Sequence, residues 1–325
     1  MTIHIASGST LRRDLAAVAK EYDDLMAQSM FIADRVAPAF PVAEAAAAYP
    51  VWLRESFLKA ADTNRNPDGS YNRIDGELGT LTYECVEHGL ETALDDRRLR
   101  LYSSFIDFEM AMTRTLRHRV LLAREKRVAA LVNNAVTFSA VAAATAWSTH
   151  ATAVPMTDIG TGLTKLELNT GIPRSQVSVI MPQADYINCV QCATVIAKLQ
   201  YTFSGNQGIQ PHLVKPAQLA TILDVKEVLV AMGGYDTKED VITPSVSAIW
   251  AAGYVTLAYL ATPGQPLEMP SAFRTMRWTA DASEDIVVER YRDETVRSGI
   301  VRVREDSDEV ATAEADLMNY LISTT

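Results

Sequence analysis

The sequence predicts an α+β protein in which helices and strands are interleaved and several strands pair antiparallel. Three observations carry that reading. Phe105, Phe108, Met112, Leu116, Val120, Ala123, Val128 and Leu131 recur at helical spacing and mark one long helix over about 103–133. Short strand-type runs bounded by turn residues fill the second half, among them VSVIM (177–181), FRTMRW (273–278) and IVVERYRDE (286–294). The composition is that of an ordinary globular chain, 325 residues with 48% hydrophobic and 22% charged, long enough to bury one large core or two smaller ones.

Charge and cysteine usage exclude several classes. The formal net charge is −10, which argues against a dedicated nucleic-acid binder, because sequence-independent affinity for phosphate backbones comes from a basic face. Cys85, Cys189 and Cys192 are too few, and odd in number, for a disulfide framework and suit a reducing compartment. The opening MTIHIASGST lacks the basic-then-apolar layout of a signal peptide, so a cytosolic place of synthesis is expected. Val241 to Leu267 carries no charge, but Ser245, Ser247, Gly253 and Thr256 interrupt it and Thr262-Pro263-Gly264 closes it. It reads as two buried strands over 247–261 joined by a tight turn at Ala252-Gly253, and no membrane span is expected.

Taken in order, the elements have local reasons. Ser9 or Thr10 is placed to cap a helix bearing Leu11, Leu15, Val18, Tyr22, Leu25 and Met26 on one stripe. Pro38, Pro41 and Pro50 keep the next segment extended. Residues 59–80 are rich in Asn, Asp, Gly, Arg and Ser and cannot bury a core of their own. The flanking WLRESFL (52–58) and LTYECVEHGLE (81–91) read as the two arms of a long hairpin. A polar excursion of that length is unusual in a compact domain; it would be a lid in an enzyme or an arm on a neighbour in an assembly. After the long helix, 139–162 reads as a loose connection and a helix begins near Thr164. The strand at 177–181, a helix at 185–203, a short helix at 216–223 and a strand at 226–232 follow. After the 247–261 hairpin come FRTMRW, IVVERYRDE, IVRVRED (300–306) and a terminal acidic stretch.

No local motif carries catalysis. Cys189-Val190-Gln191-Cys192 sits a turn inside its expected helix, where a cysteine is an ordinary small hydrophobe, and zinc would need two further ligands. His4, His88, His118, His150 and His212 are scattered. There is no G-x-S-x-G and no G-x-x-x-x-G-K-[ST], and Gly160-Thr161-Gly162 lacks the third glycine of a dinucleotide loop. Asp95-Asp96-Arg97-Arg98 reads as part of a strand, its side chains alternating between faces and pairing with other charged surfaces. No catalytic residue, cofactor or metal is expected.

The order of segments from about 31 to 320 resembles a major capsid protein of a tailed bacteriophage, with the Hong Kong-97-type shell fold. FIADRVAPAFPV (31–42) looks like that family's opening strand, and VWLRESF (51–57) like the element leading into its extended loop. LRHRVLLAREKRVAALV (116–132) matches the spine helix, and VSVIMPQADYINCV (177–190) the strand and helix after a linker. ILDVKEVLVAMGGYDT (222–237) and AIWAAGYVTLAYLATPG (248–264) are similar to late axial segments, and VERYRDETVRSGIVRVRED (288–306) to the closing strands. The resemblance implies an N-terminal arm (1–48), an extended loop (49–94), a peripheral domain (95–184) with its spine helix, an axial domain (185–262) and a return to the peripheral domain (263–325).

What it implies for function is a structural protein without catalysis, self-assembling as hexamers and pentamers into an icosahedral head. Such a chain would reside in the virion after assembly in the host cytoplasm. The implied partners are a portal protein, a decoration protein in some particles, and packaged double-stranded DNA held by non-specific contact. Members with an internal scaffold carry a long helical extension, whereas about 30 residues precede the opening strand here, so a separate scaffolding protein, or assembly without one, is expected. Candidates for subunit contacts are Lys59, Arg65, Asp68, Tyr71 and Arg73 at the loop tip, Asp95, Asp96, Arg97 and Arg98 beside it, and Leu11, Leu15 and Tyr22 on the arm. The implied inner-wall basic helix carries Arg114, Arg117, Arg119, Arg124, Lys126 and Arg127 against Glu109 and Glu125, an excess of four positive charges. Its expected partners are acidic surfaces, some of them in 281–325, where twelve acidic residues stand against five arginines. Weak attraction for the genome is a secondary role. Two alternatives remain: an encapsulin-like nanocompartment shell, and a cytosolic enzyme with 59–80 as its lid.

Overall fold

The computed structural model describes residues 10–27, 31–60, 62–65, 69–73, 78–204, 214–238, 243, 245–280 and 286–325. Its first element is a strand, β1 (Thr10–Leu11), paired antiparallel with Arg290 and Glu289. Helix α1 (Arg13–Ala27) therefore starts later than a cap at Ser9 or Thr10 would place it, and Leu11 belongs to a sheet edge. Helix α2 (Ala33–Val36) and strand β2 (Ala39–Val42) follow, the prolines keeping β2 at an edge. Strand β3 (Ala46–Trp52) pairs antiparallel with β4 (Leu78–Glu84), from Ala46 opposite Glu84 to Trp52 opposite Leu78. The hairpin arm is thus AAAYPVW. Arg54–Leu58, read above as strand, forms the short helix α3, in keeping with the helix propensity of Arg, Glu and Leu.

At Cys85 the chain leaves the ribbon, and β5 (Val86–Asp95) enters a different sheet. Asp95 then caps α4 (Asp96–Tyr102), accepting from the backbone N–H groups of Arg97 and Arg98 at 2.7 and 3.2 Å. The DDRR run is therefore a helix start and not a strand. A turn separates α4 from the long helix α5 (Phe108–Val132), whose N-cap is Asp107. The long helix begins five residues later than expected because α4 is its own element, and Phe105 sits in the turn, 84% exposed. The buried positions of α5 step by three and one throughout: Thr113, Leu116, Arg117, Val120, Leu121, Arg124, Glu125, Val128, Ala129 and Val132. That is the spacing of one helix face, and three of its members carry charge.

The second half departs from expectation where tertiary partners intervene. Ala140–Ala142 forms β6 inside the stretch read as a connection. Helix α6 (Pro155–Thr170) starts nine residues before Thr164, with proline at its first turn and Gly171 in the left-handed conformation at its end. Strand β7 (Val177–Pro182) leads to α7 (Gln183–Gln191) and α8 (Ala193–Leu199), two helices in place of one, because Cys192 is extended between them. Helix α9 (Pro216–Leu223) and strand β8 (Glu227–Ala231) occupy their expected places. Strand β10 (Val246–Ala248) pairs with β9 (Gly234–Asp236), so the expected 247–261 hairpin does not form. After Gly253, at φ +109, β11 (Tyr254–Tyr259) lies between other strands. Strands β12 (Phe273–Trp278), β13 (Val287–Asp293), β14 (Ser298–Ala311) and β15 (Asn319–Ser323) complete the chain.

Two sheets organise these elements. The first has β14 at its centre, flanked by β5 along one edge and by β13 and then β12 along the other, with β1 beyond β13 and β2 parallel to β12. The second runs β6-β15-β11-β7-β8, antiparallel in the middle and parallel at both margins. Its core joins Val179, Leu257 and Leu321 to α6, α7, α8, α9 and the C-terminal half of α5. A smaller core joins Leu15 and Ala19 of α1 to Leu116 of α5 and to Leu94, Val288, Val301 and Val303 of the first sheet. A third, of Tyr49, Val51, Tyr83, Met276 and Val310, roots the β3–β4 ribbon.

Gly162, in the middle of α6, is a close-approach glycine. A methyl group there would stand 2.5 Å from the Tyr320 ring and 2.6 Å from Leu257, whereas Gly160 has open space around it. Gly162→Ala is expected to destabilise the chain by roughly 1–3 kcal/mol through overpacking, and Gly160→Ala to be neutral or stabilising by up to ~1 kcal/mol. Urea titration of the two variants side by side checks both.

Candidate functional site

The basic helix meets its charge partners inside the chain. Glu305, Ser307 and Glu309 alternate along β14 and share one face. Arg117 donates from Nη1 to Glu305 Oε2 at 2.6 Å, both side chains being buried. Arg127 donates from Nε and Nη2 to the two oxygens of Glu309 at 2.8 and 3.0 Å, and also to Ser307 Oγ at 3.3 Å. The spacing explains the match: ten residues of helix rise ~15 Å and four residues of strand span ~13 Å, so both ends of the seam can pair. Between them, Arg124 pairs with Asp34 at 2.7 Å and reaches Thr275 Oγ1 at 3.4 Å. Burial by itself raises the Glu305 carboxyl, but Arg117, Arg124 and Arg277 outweigh it and hold the group at about 2.

The basic residues of α5 therefore fall into two sets. Arg117 and Arg124 are buried and Arg127 is half-buried, so these three face acidic groups of their own chain. Arg114, Arg119 and Lys126 remain on the surface, Lys126 lying 3.8 Å over the Tyr235 ring. Two further carboxylates that sequence reasoning missed hold the fold from inside. Glu125 accepts from the backbone N–H groups of Ile32 and Ala33 at 3.1 and 2.9 Å and from Trp250 Nε1 at 2.7 Å, capping α2. Burial nevertheless raises its pKa. Asp185 accepts from Gly253 N at 2.9 Å and Thr324 Oγ1 at 2.6 Å, tying the turn before β11 to the end of β15.

The surface candidates fall into three groups. Lys59, Arg65, Tyr71 and Arg73 are exposed at the far end of the ribbon; the Arg65 guanidinium lies 4.6 Å over the Tyr71 ring and donates to Gly69 O at 2.8 Å. Asp68 lies outside the described residues. In the DDRR run, Arg97 and Arg98 are exposed while Asp96 accepts both Arg292 nitrogens at 2.7 and 2.8 Å, a pairing within the chain. On the arm, Leu15 is 3% exposed in the α1–α5 core, so its surface is already covered and it offers nothing to a neighbour. Tyr22 is half-buried with its hydroxyl bonded to His118 Nδ1 at 3.1 Å, and Leu11 lies on β1. The structure adds an apolar patch that the helical reading of 103–107 concealed: Leu101, Tyr102, Phe105 and Ile106 are all exposed around the α4–α5 turn.

The other motifs singled out in the sequence lie within regular structure. Cys189 and Cys192 are buried in the main core, and burial pushes both thiols up. Cys192 Sγ donates to Asn188 O at 3.2 Å. Gly160 and Gly162 belong to a helix, not a phosphate loop. Among the described residues no group of three His, Cys, Asp or Glu side chains is placed to hold a metal, and no helix is long and apolar enough to cross a membrane.

No family model and no curated protein matches the sequence. Solved structures match the fold closely. A phage-related protein from Bordetella bronchiseptica superimposes with a TM-score of 0.71 at 20% identity, over 97% of both chains. The capsid of cyanophage P-SCSP1u matches at 0.58 with 10% identity, over 90% of this chain and 88% of the other. The virus-like particle from Pyrococcus furiosus matches at 0.54 with 8% identity, over 98% and 100%. The chain has the Hong Kong-97-type fold of phage capsid proteins.

Removing the Glu305 carboxylate leaves Arg117 and Arg124 short of compensation in a buried place. Glu305→Ala is expected to cost about 3–5 kcal/mol in chemical denaturation at neutral pH. Because the folded pKa lies below the ordinary 4.5, the contribution of this group is complete above about pH 4.5 and is lost as pH falls toward 2. The variant's acid-unfolding curve should therefore be flatter than the parent's across that window.

Proposed function

We propose that the chain is the shell-forming subunit of an icosahedral capsid of a tailed double-stranded DNA bacteriophage. The observation that carries the proposal is the β3–β4 ribbon of a fold shared with capsid proteins, whose two strands are joined by a polar segment, 59–77, nearly empty of large apolar residues. Such a segment gains packing only from another molecule, and neighbouring subunits in hexamers and pentamers supply that surface. In this reading the first sheet with α5 is the peripheral domain, the ribbon the extended loop, and the second sheet with its helices the axial domain, which then takes in β6, α6, β7 and β15 beyond the 185–262 bounds expected from segment order. The loop-side end of the ribbon is tied to the segment after β14, since Trp52 O accepts from Glu314 N at 2.8 Å and Arg54 N donates to Glu314 Oε2 at 2.8 Å. The loop would thus strap a neighbour from a fixed base. The α4–α5 patch is a candidate subunit contact, because contiguous exposed apolar groups mark interaction surfaces.

The role of nucleic acid in this reading is modest. Arg114, Arg119 and Lys126 are the basic residues of α5 left on its surface, and a chain of net charge −10 holds a genome loosely enough to release it. A nanocompartment shell is the second reading, favoured by the end-to-end match with the Pyrococcus furiosus particle. Particle content separates the two: nucleic acid supports the first, an enclosed protein the second.

Negative-stain electron microscopy of the purified protein tests the proposal, and closed particles or hexamer and pentamer rings are the expected result. Deleting residues 60–77 should leave a folded monomer or small oligomer that no longer builds large particles. Full assembly by the deletion variant would remove the strapping role. Phe105→Asp, at an 84% exposed position, should change stability by no more than ~0.5 kcal/mol yet reduce particle yield at least several-fold in sedimentation. Unchanged yield would remove the patch from the interface.

A further inference from the structure

At its two ends β5 meets corners of opposite charge. Its last residue, Asp95, caps α4, on which Leu99 packs toward the α1–α5 core. Leu101, 64% exposed, lies on the outer side, with Arg97 and Arg98 one turn before it and Arg100 beside it in the chain. The three arginines are exposed, and among the described residues none of them forms an ion pair.

The first residue of β5, Val86, follows Cys85, where the chain leaves the ribbon, and is 53% exposed. Glu84 N donates to Asp308 Oδ2 at 3.0 Å and Cys85 N to Ala45 O at 2.8 Å, which brings Glu44, Glu84 and Asp308 to this corner. Glu44 and Glu84 are exposed and Asp308 is half-buried, and among the described residues none of the three forms an ion pair. Burial raises the Asp308 carboxyl above its ordinary value, and Glu309 and Glu84 add to the rise. The backbone N–H of Glu84 and the charge of Arg127 offset it only in part. The corner is an exposed anionic surface beside an apolar residue.

Ten residues of β5 hold the two corners ~30 Å apart, farther than any side chain reaches. The arginines of one chain therefore cannot meet the acids at its own other corner. Two arginine corners face to face, or two acidic ones, would set like charges against each other. A two-fold contact through either corner is thus disfavoured, and the complementary surface is presented by a second copy placed head to tail.

We propose that the α4 corner of one subunit, with Arg97, Arg98 and Arg100 around Leu101, docks on the Glu44, Glu84 and Asp308 corner of the next copy. This contact rests on the shell-forming reading, to which it adds a direction around the ring of subunits. Leu101 and Val86 supply apolar surface, and the charged groups set register and partner choice. A repeated head-to-tail contact closes into a ring where the rotation allows it and otherwise runs on as a filament.

Two charge-reversed full-length proteins test the contact: Arg97→Glu with Arg98→Glu, and Glu44→Arg with Glu84→Arg. Sedimentation velocity and negative-stain microscopy at low salt compare them with the parent. All four positions are exposed, so both proteins are expected to keep the parent's Tm. Each alone should lose roughly tenfold of the parent's assembled fraction, and an equal mixture, or one chain carrying all four changes, should regain it. The two pairs move the net charge of −10 in opposite directions, so an effect of net charge alone would weaken one and strengthen the other. Parent-like assembly by either reversed protein alone, no recovery in the mixture or the four-change chain, or a parent that stays monomeric overturns the contact. Shells built equally well by the reversed proteins leave the shell-forming reading standing without it. Rings or filaments that obey the charge swap but never close into particles support the contact and remove that reading.

Discussion

A row of arginines on the longest helix meets a row of carboxylates on the longest strand, and the rest of the molecule is arranged around that seam. Burying such charges is costly, and the cost is tolerable only when each ion finds its counterpart with good geometry. The similar rise of ten helical residues and four strand residues provides that geometry. It also fits the register of α5 on β14, alongside the packing of Leu116 against Val301 and Val303. Arg117, Arg127, Glu305 and Glu309 thus act as positional pins between a helix and a sheet.

The same logic recurs with single carboxylates. Glu125 satisfies the start of α2 and the indole of Trp250, and Asp185 satisfies the turn at Gly253 and the hydroxyl of Thr324. Each joins segments far apart in the chain at places where backbone donors would otherwise be buried without acceptors. With the interior pinned in this way, the outer parts are free to differ. The α4–α5 turn and the Arg114, Arg119 and Lys126 face of α5 are exposed and take no part in these pins.

Much of this was legible along the chain. The period of α5, the strands β7, β8, β12 and β13, and the helix α9 follow from local pattern: α5 buries one face at helical spacing, and β7 and β12 are short runs buried at nearly every position. The pairing of α5 arginines with acids of 281–325 was legible as well, since an excess of one charge sign in an oppositely charged chain seeks its complement. The candidate surface was less so. Exposure at Lys59, Arg65, Tyr71 and Arg73 follows from polarity, but Leu15 is apolar and stripe-forming whether it packs on its own chain or on a neighbour.

Pattern, charge balance and segment order by themselves determined the fold class, the long helix and the burial of the cysteine pair. Only the tertiary structure decided which strands are partners and which charges are interior. AAAYPVW rather than WLRESFL pairs with β4, because a ribbon forms where two backbones meet and not where propensity is highest. The acidic stretch of β14 is a central strand, because arginines distant in sequence neutralise it. Local sequence records what a residue prefers; burial of a charge depends on a partner that only folding brings within a few ångströms.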